Sequence, residues 1–463
     1  MNNPEKYYTK NIEKLYGHKR QIEKDIYLLT ENKQHYNPFH INDRIDLTHL
    51  NVYSIDPENC EDVDDAFSYY QKDNHQYIVI HIADPTHYIS KDSILFKDII
   101  EKSFTKYPSN TKPIHLMHDE ILNLSSLHQN IYGNVKNAIS IIIEFDKNNQ
   151  IDYNNILIYF SKIKVDIQNK LSYNNIPKNN HEILKCLELS DYIFPNLTYH
   201  NDNQLEIKYY NNIPHFYHNH KNELEYKKMI AKFAILSNNY VGYLLKKHLS
   251  NKHIIFRHCN NNNQELNNID NFKDFIHFLL NNDISASYNN QYSNHDLLEV
   301  KEYLHMTSPL RRTTDCIIHY LLKSIYLNIE IPFTENEIKS IIDNSNTIHK
   351  KLKKIQFKDN KFRLFQTMEY NLNHQNKKYY HIEFYISSFY KPYINIIIFK
   401  LDAYHIYISY TLKKDNIDNN LINTLDNIMN KNYNCNIYQV NCCNHYDENC
   451  LPDLDQFIFK LIK

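Results

Sequence analysis

Glycine and tryptophan are nearly missing from this chain of 463 residues, which contains 3 Gly and no Trp but 40 Tyr. With so little glycine, turns that need a positive φ must use asparagine, the next most tolerant residue. Asn-rich stretches such as Asn260–Asn263 are therefore predicted to be loops. The same composition is typical of a gene under A/T-rich codon bias, so by itself it excludes no class of function.

Long apolar runs and an excess of charge of either sign are also lacking. No stretch approaches the roughly 18 uncharged apolar residues of a membrane span, and no apolar segment follows a basic one at the N-terminus. We therefore expect a cytoplasmic protein without a membrane partner. Lys and Arg number 52 against 54 Asp and Glu, so the net charge of −2 indicates no nucleic-acid partner. Such a partner must be argued from local clusters of charge.

Paired CxxC spacing is absent, although the chain has eight cysteines. Without it, no obvious zinc site is predicted, and because no secretory signal is visible the cysteines are expected to be mostly reduced. Four cysteines lie in the tail close to His445: Cys435, Cys442, Cys443 and Cys450. A zinc site there is one interpretation. The spacing favours the other, ordinary buried thiols, since free cysteine buries readily.

What is present is a change of apolar pattern along the chain. Residues from about 5 to 35 are polar with helical spacing, and strands then alternate with helices. Predicted strands are Tyr77–Ala83, Ala138–Phe145 and Ile156–Phe160, and predicted helices are Leu224–Leu245, Asp315–Ile325 and Ile348–Met368. From about residue 378 the apolar pattern is again typical of strands, as in Tyr393–Phe399 and His405–Tyr410. The pattern predicts an arm, a large mixed α/β domain and a small β-rich tail.

The most informative segment is the acidic bend Asp56–Asp65, which holds six acidic residues in ten positions. Carboxylates this close repel one another unless cations neutralise them, and clustered oxygen ligands are those that Mg²⁺ prefers. Two such ions can activate water and stabilise the leaving oxygen of a phosphodiester. An EF-hand loop would need Gly sixth and Glu twelfth, where this chain has Glu61 and Phe67. From this segment alone, a solvated acidic turn and a metal site both remain open.

Four further segments follow the acidic bend in order. They are His81–Pro85, Leu124–Leu127, Lys170–Tyr173 and Tyr303–Arg312. Together with Asp46–Thr48 and the Ser-Ile-Asp-Pro opening of the bend, they resemble the ribonuclease II family, the RNB-domain exoribonucleases. The resemblance covers roughly residues 46 to 368, and its strength lies in the ordered set, since one Asp-x-Asp-Asp would be weak support.

The resemblance implies an α+β chain with an RNB catalytic fold, a mixed sheet surrounded by helices, at residues 46–372. A short N-terminal helical arm would precede it at residues 1–45. A small β-rich domain would follow at residues 376–463, with a diverged OB barrel as one interpretation. The implied activity is 3′→5′ hydrolysis of single-stranded RNA to nucleoside 5′-monophosphates. Two Mg²⁺ ions would be the cofactors, with Mn²⁺ as a substitute.

The resemblance also assigns an active site. Asp56, Asp62 and Asp65 would hold the metals, directly or through water, and Asp64 would matter for the chemical step. Arg311 would reach the scissile phosphate and offset the charge that develops there, which suits a guanidinium. A surface ion pair is the alternative interpretation of Arg311.

RNA binding without sequence readout needs aromatic faces and positive charge. The residues expected to bind RNA are Tyr107, Phe256, Arg312, Lys350, Lys351 and Lys354. Tyr107 and Phe256 would stack on bases from opposing sides, with core packing as the alternative for each. Arg312 would contact a backbone phosphate or form a structural pair. The lysines lie in the densest basic segment, whose alternative interpretation is a solvated helix face.

Two other functions remain open. A catalytically silent RNB fold would serve as an RNA-binding or assembly subunit. A DxD-type glycosyl- or phosphotransferase would leave Thr307–Pro309 unexplained. Departures from the family pattern, such as Ala231–Lys232 in place of an acidic pair, weaken the expected grip on substrate more than the activity. Because the segment before the bend is short, we expect the capture of single-stranded RNA either to be weaker or to be supplied by a protein partner.

Overall fold

The structure is a computed structural model that describes most of the chain. The described residues are 16–17, 22–109, 111–195, 205–210, 213–218, 221–259, 286–292, 294–390, 393–413, 432–441 and 458–462. Outside them lie the predicted loop Asn260–Asn263, the first part of the arm, and Cys442, Cys443, His445 and Cys450. Within them, no helix combines the length and apolarity that crossing a membrane would need.

Helices and strands alternate up to residue 374, and strands follow. The described helices are α1 (Ile22–Gln34), α2 (Ile94–Lys102), α3 (Asp119–Ser125), α4 (His181–Ser190), α5 (Lys221–His248), α6 (Thr313–Leu327) and α7 (Glu335–His374). The described strands are β1 (Ile45–Asp46), β2 (Val52–Asp56), β3 (Asp65–Lys72), β4 (His75–Ala83), β5 (Val135–Phe145), β6 (Leu157–Ser172), β7 (Leu205–Tyr210), β8 (Ile213–His218), β9 (Phe256–His258), β10 (Ser287–Asn289), β11 (Tyr380–Tyr390), β12 (Tyr393–Leu401), β13 (Tyr404–Lys413), β14 (Asn432–Asn441) and β15 (Ile458–Ile462). Each helix and strand predicted above overlaps one of these elements.

Strands β2 to β6 close on themselves as a five-stranded barrel. Each strand from β2 to β5 pairs antiparallel with the next one, and β6 returns to pair with β2 in parallel. β1 adds to β6 as a parallel strand. On β4, every residue from Ile78 to Ala83 is buried, as expected for a β-branched run at the centre of a sheet. The mixed sheet implied by the resemblance is therefore confirmed.

Asparagine occupies the turns that glycine would normally take. Asparagines with positive φ are Asn59, Asn74, Asn149, Asn328 and Asn376. Gly242 has a different role, because it lies in α5 where an added Cβ would meet the carbonyl oxygen of Glu302. The prediction drawn from the scarcity of glycine is confirmed at these five turns.

The chain after α7 forms a second, antiparallel sheet in the order β13-β12-β11-β14-β15. The β-rich tail is thereby confirmed. Among the described residues, the outer strands β13 and β15 do not pair, so an OB barrel stays a prediction. Cys435 on β14 is a half-buried free thiol, as expected for an ordinary cysteine.

A cluster of buried charges, here called the Asp84 cluster, joins the barrel to α6. Asp84 follows β4, and its carboxylate contacts Arg44 Nη2 at 2.5 Å and Lys323 Nζ at 2.8 Å. Thr86 Oγ1 also donates to it at 2.8 Å. The side chains of all three charged residues are at most 1% exposed. The cluster therefore ties the segment before β1, the end of β4 and α6 together.

Candidate active site

The acidic bend connects two neighbouring strands of the barrel. β2 ends at Asp56 and β3 begins at Asp65, so these carboxylates start from adjacent strand ends. Between them Asn59 has a φ of 60°, which turns the chain. The N–H of Ala83 donates to the carbonyl oxygen of Asp64 at 2.8 Å and fixes the bend to the end of β4. The fold therefore places Asp56 and Asp65 at adjacent strand ends and fixes the Asp64 backbone beside the end of β4.

Two of the ordered motifs hold the bend from outside. Val63 N–H donates to Ser126 Oγ at 2.9 Å, and Leu127 N–H donates to the Val63 carbonyl at 3.0 Å. Lys170 Nζ donates to the Cys60 carbonyl at 2.6 Å. These contacts show that Leu124–Leu127 and Lys170 fix the acidic bend in place. Their spacing in the sequence did not reveal this role.

Arg311 reaches the bend although 247 positions separate it from Asp64. Its Nε donates to Asp64 Oδ2 at 2.9 Å, and its Nη2 donates to Ser308 Oγ at 2.8 Å. The other oxygen of Asp64 accepts from the Leu310 N–H at 2.7 Å. Both oxygens of Asp64 thus bind the Leu310–Arg311 segment. The Arg311 side chain is still 45% exposed, so it can meet a ligand from solvent.

The acidic bend carries more negative charge than its neighbours offset. Burial, followed by repulsion from Asp65, raises the pKa of Asp56 to about 7. Burial also raises the pKa of Asp64 well above its usual range, despite Arg311, and raises the pKa of Asp65. Asp56 Oδ2 is buried without a hydrogen-bond partner. An uncompensated group of buried oxygens is what a hard divalent cation would satisfy.

The residues of the bend therefore fit the cations that the resemblance implies. Asp56 and Asp65 offer carboxylate oxygens at the strand ends, and Asp62 lies between them, 6% exposed. No three His, Cys, Asp or Glu side chains already converge as a ready-made metal site in the part of the chain that the structure describes. A metal-holding role for these aspartates thus stays a prediction. Asp64, whose two oxygens are engaged, is better placed to position Arg311.

Tyr107 borders the same carboxylates. Its hydroxyl donates to Asp62 Oδ2, while its side chain remains 39% exposed. The N–H of Thr105 donates to the Arg311 carbonyl at 3.0 Å, so the Tyr107 segment runs beside the arginine. The ring thus lies next to the bend and is partly exposed, and its stacking on a base stays a prediction. The sequence did not predict the hydrogen bond from Tyr107 to Asp62, because no pattern near Tyr107 indicates it.

The structure corrects two of the predicted RNA contacts. Phe256 is fully buried in β9 and meets the ring of Tyr292 edge-on, so it offers no face to a base. Arg312 donates to both oxygens of Asp315, at 2.9 and 2.8 Å. Its guanidinium is 19% exposed and already bound. The structural pair, one of its two interpretations, is the one observed.

The three predicted lysines lie on one exposed face of α7. Lys350, Lys351 and Lys354 are exposed, whereas Leu352 and Ile355 face the core. This arrangement fits a path for RNA and a solvated helix face equally well. Their binding role stays a prediction.

Two further side chains beside Asp62 escaped sequence reasoning. His115 Nδ1 lies 3.8 Å from Asp62 Oδ2, and Cys60 Sγ donates to Asp62 Oδ1 at 3.5 Å. Neither belongs to the ordered motifs by residue type, and only the fold brings His115 to the bend.

The fold is that of the RNB domain. The RNB domain family matches residues 44–328, which is more than half of the sequence, and the chain belongs to this family. It is 25% identical over 362 residues to DIS3-like exonuclease 2 of Schizosaccharomyces pombe. That match covers 61% of this chain and 37% of the relative, so the chain spans little more than a third of that protein's length.

Two solved structures share the fold. The apo form of Mycoplasma genitalium RNase R aligns with a TM-score of 0.74 at 17% identity, covering 100% of this chain and 78% of that one. Yeast Ssd1, titled a pseudonuclease, aligns with a TM-score of 0.60 at 14% identity, covering 90% and 56%. At these identities the likeness bears on fold and leaves activity to the residues of the site.

Proposed function

We propose that this chain is a 3′→5′ exoribonuclease that hydrolyses single-stranded RNA to nucleoside 5′-monophosphates with two Mg²⁺ ions. The observation that carries the proposal is the contact of Arg311 with Asp64 beside carboxylates whose charge is not offset. A surface ion pair would not need three further aspartates in the same bend, where Asp62 is 6% exposed and Asp56 Oδ2 is buried without a hydrogen-bond partner. Divalent cations supply the positive charge that this site lacks, and a phosphodiester can then bind between them and Arg311.

In this proposal Asp56, Asp62 and Asp65 hold the metals, and Mn²⁺ can replace Mg²⁺ because both accept oxygen ligands. Bound cations would supply an activated water and stabilise the leaving oxygen. Asp64 keeps the Leu310–Arg311 segment in place through two hydrogen bonds. The free donors of Arg311 then face the phosphate.

In this proposal Tyr107 helps to bind the 3′ end of the RNA. Its half-exposed ring can stack on a base of any identity, at roughly 1–3 kcal/mol per base. Because Phe256 is buried, the opposing face of the clamp must come from another side chain. The RNase R relatives bind RNA in solved complexes, one of them with ribose-methylated single-stranded RNA, which supports RNA as the substrate class.

A catalytically silent RNA-binding subunit is the second candidate. The observation that favours it is the structural likeness to Ssd1, a pseudonuclease. Against it, the carboxylates and Arg311 are present and adjacent here. A protein partner that helps to capture RNA is compatible with both candidates and stays a prediction.

RNA shortening tests the proposal directly. Single-stranded RNA labelled at its 5′ end, incubated with the protein and Mg²⁺, should shorten progressively from its 3′ end. A 3′-labelled strand should release labelled mononucleotide at once. EDTA and Asp65→Asn should abolish both signals, while Asp73→Asn, in the exposed turn after β3, serves as the matched control. RNA that stays intact with wild type, or that Asp65→Asn still degrades, contradicts the proposal.

A further inference from the structure

The Tyr107 loop, which runs from Tyr107 to Ser109, is attached to the rest of the structure at both ends. Before the loop, Lys106 and Ile114 exchange backbone hydrogen bonds of 3.0 and 2.9 Å. At its other end, the N–H of Ser109 donates to Oδ2 of Asp359 on α7 at 2.8 Å. The Tyr107 ring comes between these two attachments in the chain, so they limit where the ring can lie beside the acidic bend.

Tyr16 of the N-terminal arm contacts both attachments. Its hydroxyl donates to the same oxygen of Asp359 at 3.1 Å, and its carbonyl accepts from Lys106 Nζ at 2.5 Å. Gly17 follows with a φ of 92°, a backbone conformation that favours glycine. One of the three glycines in the chain therefore shapes the arm next to this contact.

The contact between Tyr16 and Asp359 is shielded from water, since each residue is only 2% exposed. Burial, followed by the negative charge of Asp359, raises the pKa of Tyr16, so its hydroxyl stays a donor. A hydrogen bond to a charged group is stronger than one to a neutral group, and its loss leaves a buried carboxylate less satisfied. Because one oxygen accepts from both the arm and the Tyr107 loop, a change at Tyr16 acts directly on the loop.

We propose that Tyr16 is a positioning residue for RNA binding, which holds Asp359 and Lys106 so that the Tyr107 ring can stack on a base at the 3′ end. This inference rests on the stacking role that the proposed function gives to Tyr107. Tyr16 itself is buried, so it acts through the loop without touching the RNA. The arm is thereby part of the substrate site, although it lies outside the family match at residues 44–328.

A double-mutant cycle on RNA affinity tests this inference without hydrolysis. Binding of a short, 5′-labelled single-stranded RNA is measured in EDTA by fluorescence anisotropy. Tyr16→Phe keeps the ring but loses the hydrogen bond to Asp359, so it should weaken RNA binding by roughly 3- to 10-fold. In a Tyr107→Ala background the same change should weaken binding by less than about twofold, because the ring that Tyr16 positions is gone.

Tyr320→Phe is the matched control, because it also removes the hydrogen bond of a fully buried tyrosine hydroxyl, here to the Ile89 carbonyl at 2.8 Å. It should lower the thermal midpoint about as much as Tyr16→Phe but leave RNA affinity unchanged in both backgrounds. In RNA shortening, Tyr16→Phe should raise KM and keep the single-turnover rate at saturating RNA within about twofold of wild type.

The cycle distinguishes positioning from a general effect on the fold. RNA affinity that stays at the wild-type level in Tyr16→Phe, or that falls equally in both backgrounds, overturns the inference. A wild type that shows the expected coupling but does not shorten RNA would contradict the proposed function and leave this inference standing. Shortening by wild type without coupling between Tyr16 and Tyr107 would do the reverse.

Discussion

The Asp84 cluster and the acidic bend both contain carboxylates shielded from water, fully at Asp84 and partly at Asp56 and Asp65, yet their electrostatics are opposite. Burial alone would raise the pKa of Asp84, but contacts with Lys323 and Arg44 hold it well below its usual range. In the bend, burial prevails and the pKa of Asp56 rises to about 7. The difference lies in partners, since two cations contact Asp84 whereas Arg311 is shared among several aspartates.

This contrast distinguishes buried charges that are paired within the chain from buried charges that are left to bind a ligand. A buried carboxylate that meets its cations inside the chain stabilises one arrangement of the fold. A group of carboxylates left with too few cations leaves the fold less stable than it could be, and such groups are characteristic of functional sites.

Breaking the Asp84 cluster should have the largest effect. Lys323→Met leaves the buried Asp84 carboxylate with one cation fewer, and we expect a loss of about 3–5 kcal/mol in the free energy of unfolding. Lys185→Met, which removes an exposed pair with Glu188, should cost about 1 kcal/mol or less. Urea unfolding of both variants measures the difference. Equal losses in the two variants would contradict the expected difference between the buried Asp84 cluster and an exposed ion pair.

Arg311→Lys should affect the chemistry and spare the fold. A lysine keeps the charge but loses the geometry that lets one guanidinium bind Asp64 and a phosphate together. We expect the single-turnover rate of RNA shortening to fall by roughly 10²–10³, or about 2.7–4 kcal/mol. The urea midpoint should change little, because the side chain is 45% exposed. A rate within threefold of wild type, at about 0.6 kcal/mol, would remove Arg311 from the chemical step.

The two carboxylate sites should respond to pH with opposite signs. With its pKa raised to about 7, Asp56 contributes stability that is full below its ordinary value and lost as pH rises through about 7. Asp84, with a lowered pKa, contributes stability that is lost only on acidification. Magnesium should therefore stabilise the fold more at pH about 8 than at about 6. At pH about 8 and a hundredfold excess over Kd, the stabilisation should be about 2.7 kcal/mol.

Melting curves in EDTA and in Mg²⁺ measure that difference. Asp56→Asn should flatten the pH dependence of the EDTA curves. The same melting midpoint in EDTA and Mg²⁺ at every pH would count against a cation in the bend.

Tyr107 should give the smallest effect. Tyr107→Ala removes the ring and should weaken RNA binding by roughly 1–3 kcal/mol while leaving a longer final remnant. Tyr107→Phe keeps the ring but loses the bond to Asp62, so it should retain the wild-type remnant. Gel analysis of limit products separates the two. Identical remnants for Ala and wild type would take Tyr107 out of the clamp.

Local motifs predicted the parts of the site that depend on local geometry. The bend between β2 and β3 and the segment before α6 are short and carry their own turn signals, so the aspartates and Arg311 could be placed. The burial of Phe256 could not be predicted, because a pattern of aromatic residues does not distinguish a core strand from a binding face.

The most direct test of the account is divalent-metal binding to the protein without RNA. Electron paramagnetic resonance with Mn²⁺ should show ions bound to wild type and to Asp73→Asn, displaced by Mg²⁺. Asp65→Asn should lose most of this binding while remaining folded. Wild type that binds no Mn²⁺, or Asp65→Asn that binds it as tightly, would contradict the claim that the carboxylates of the acidic bend bind divalent cations.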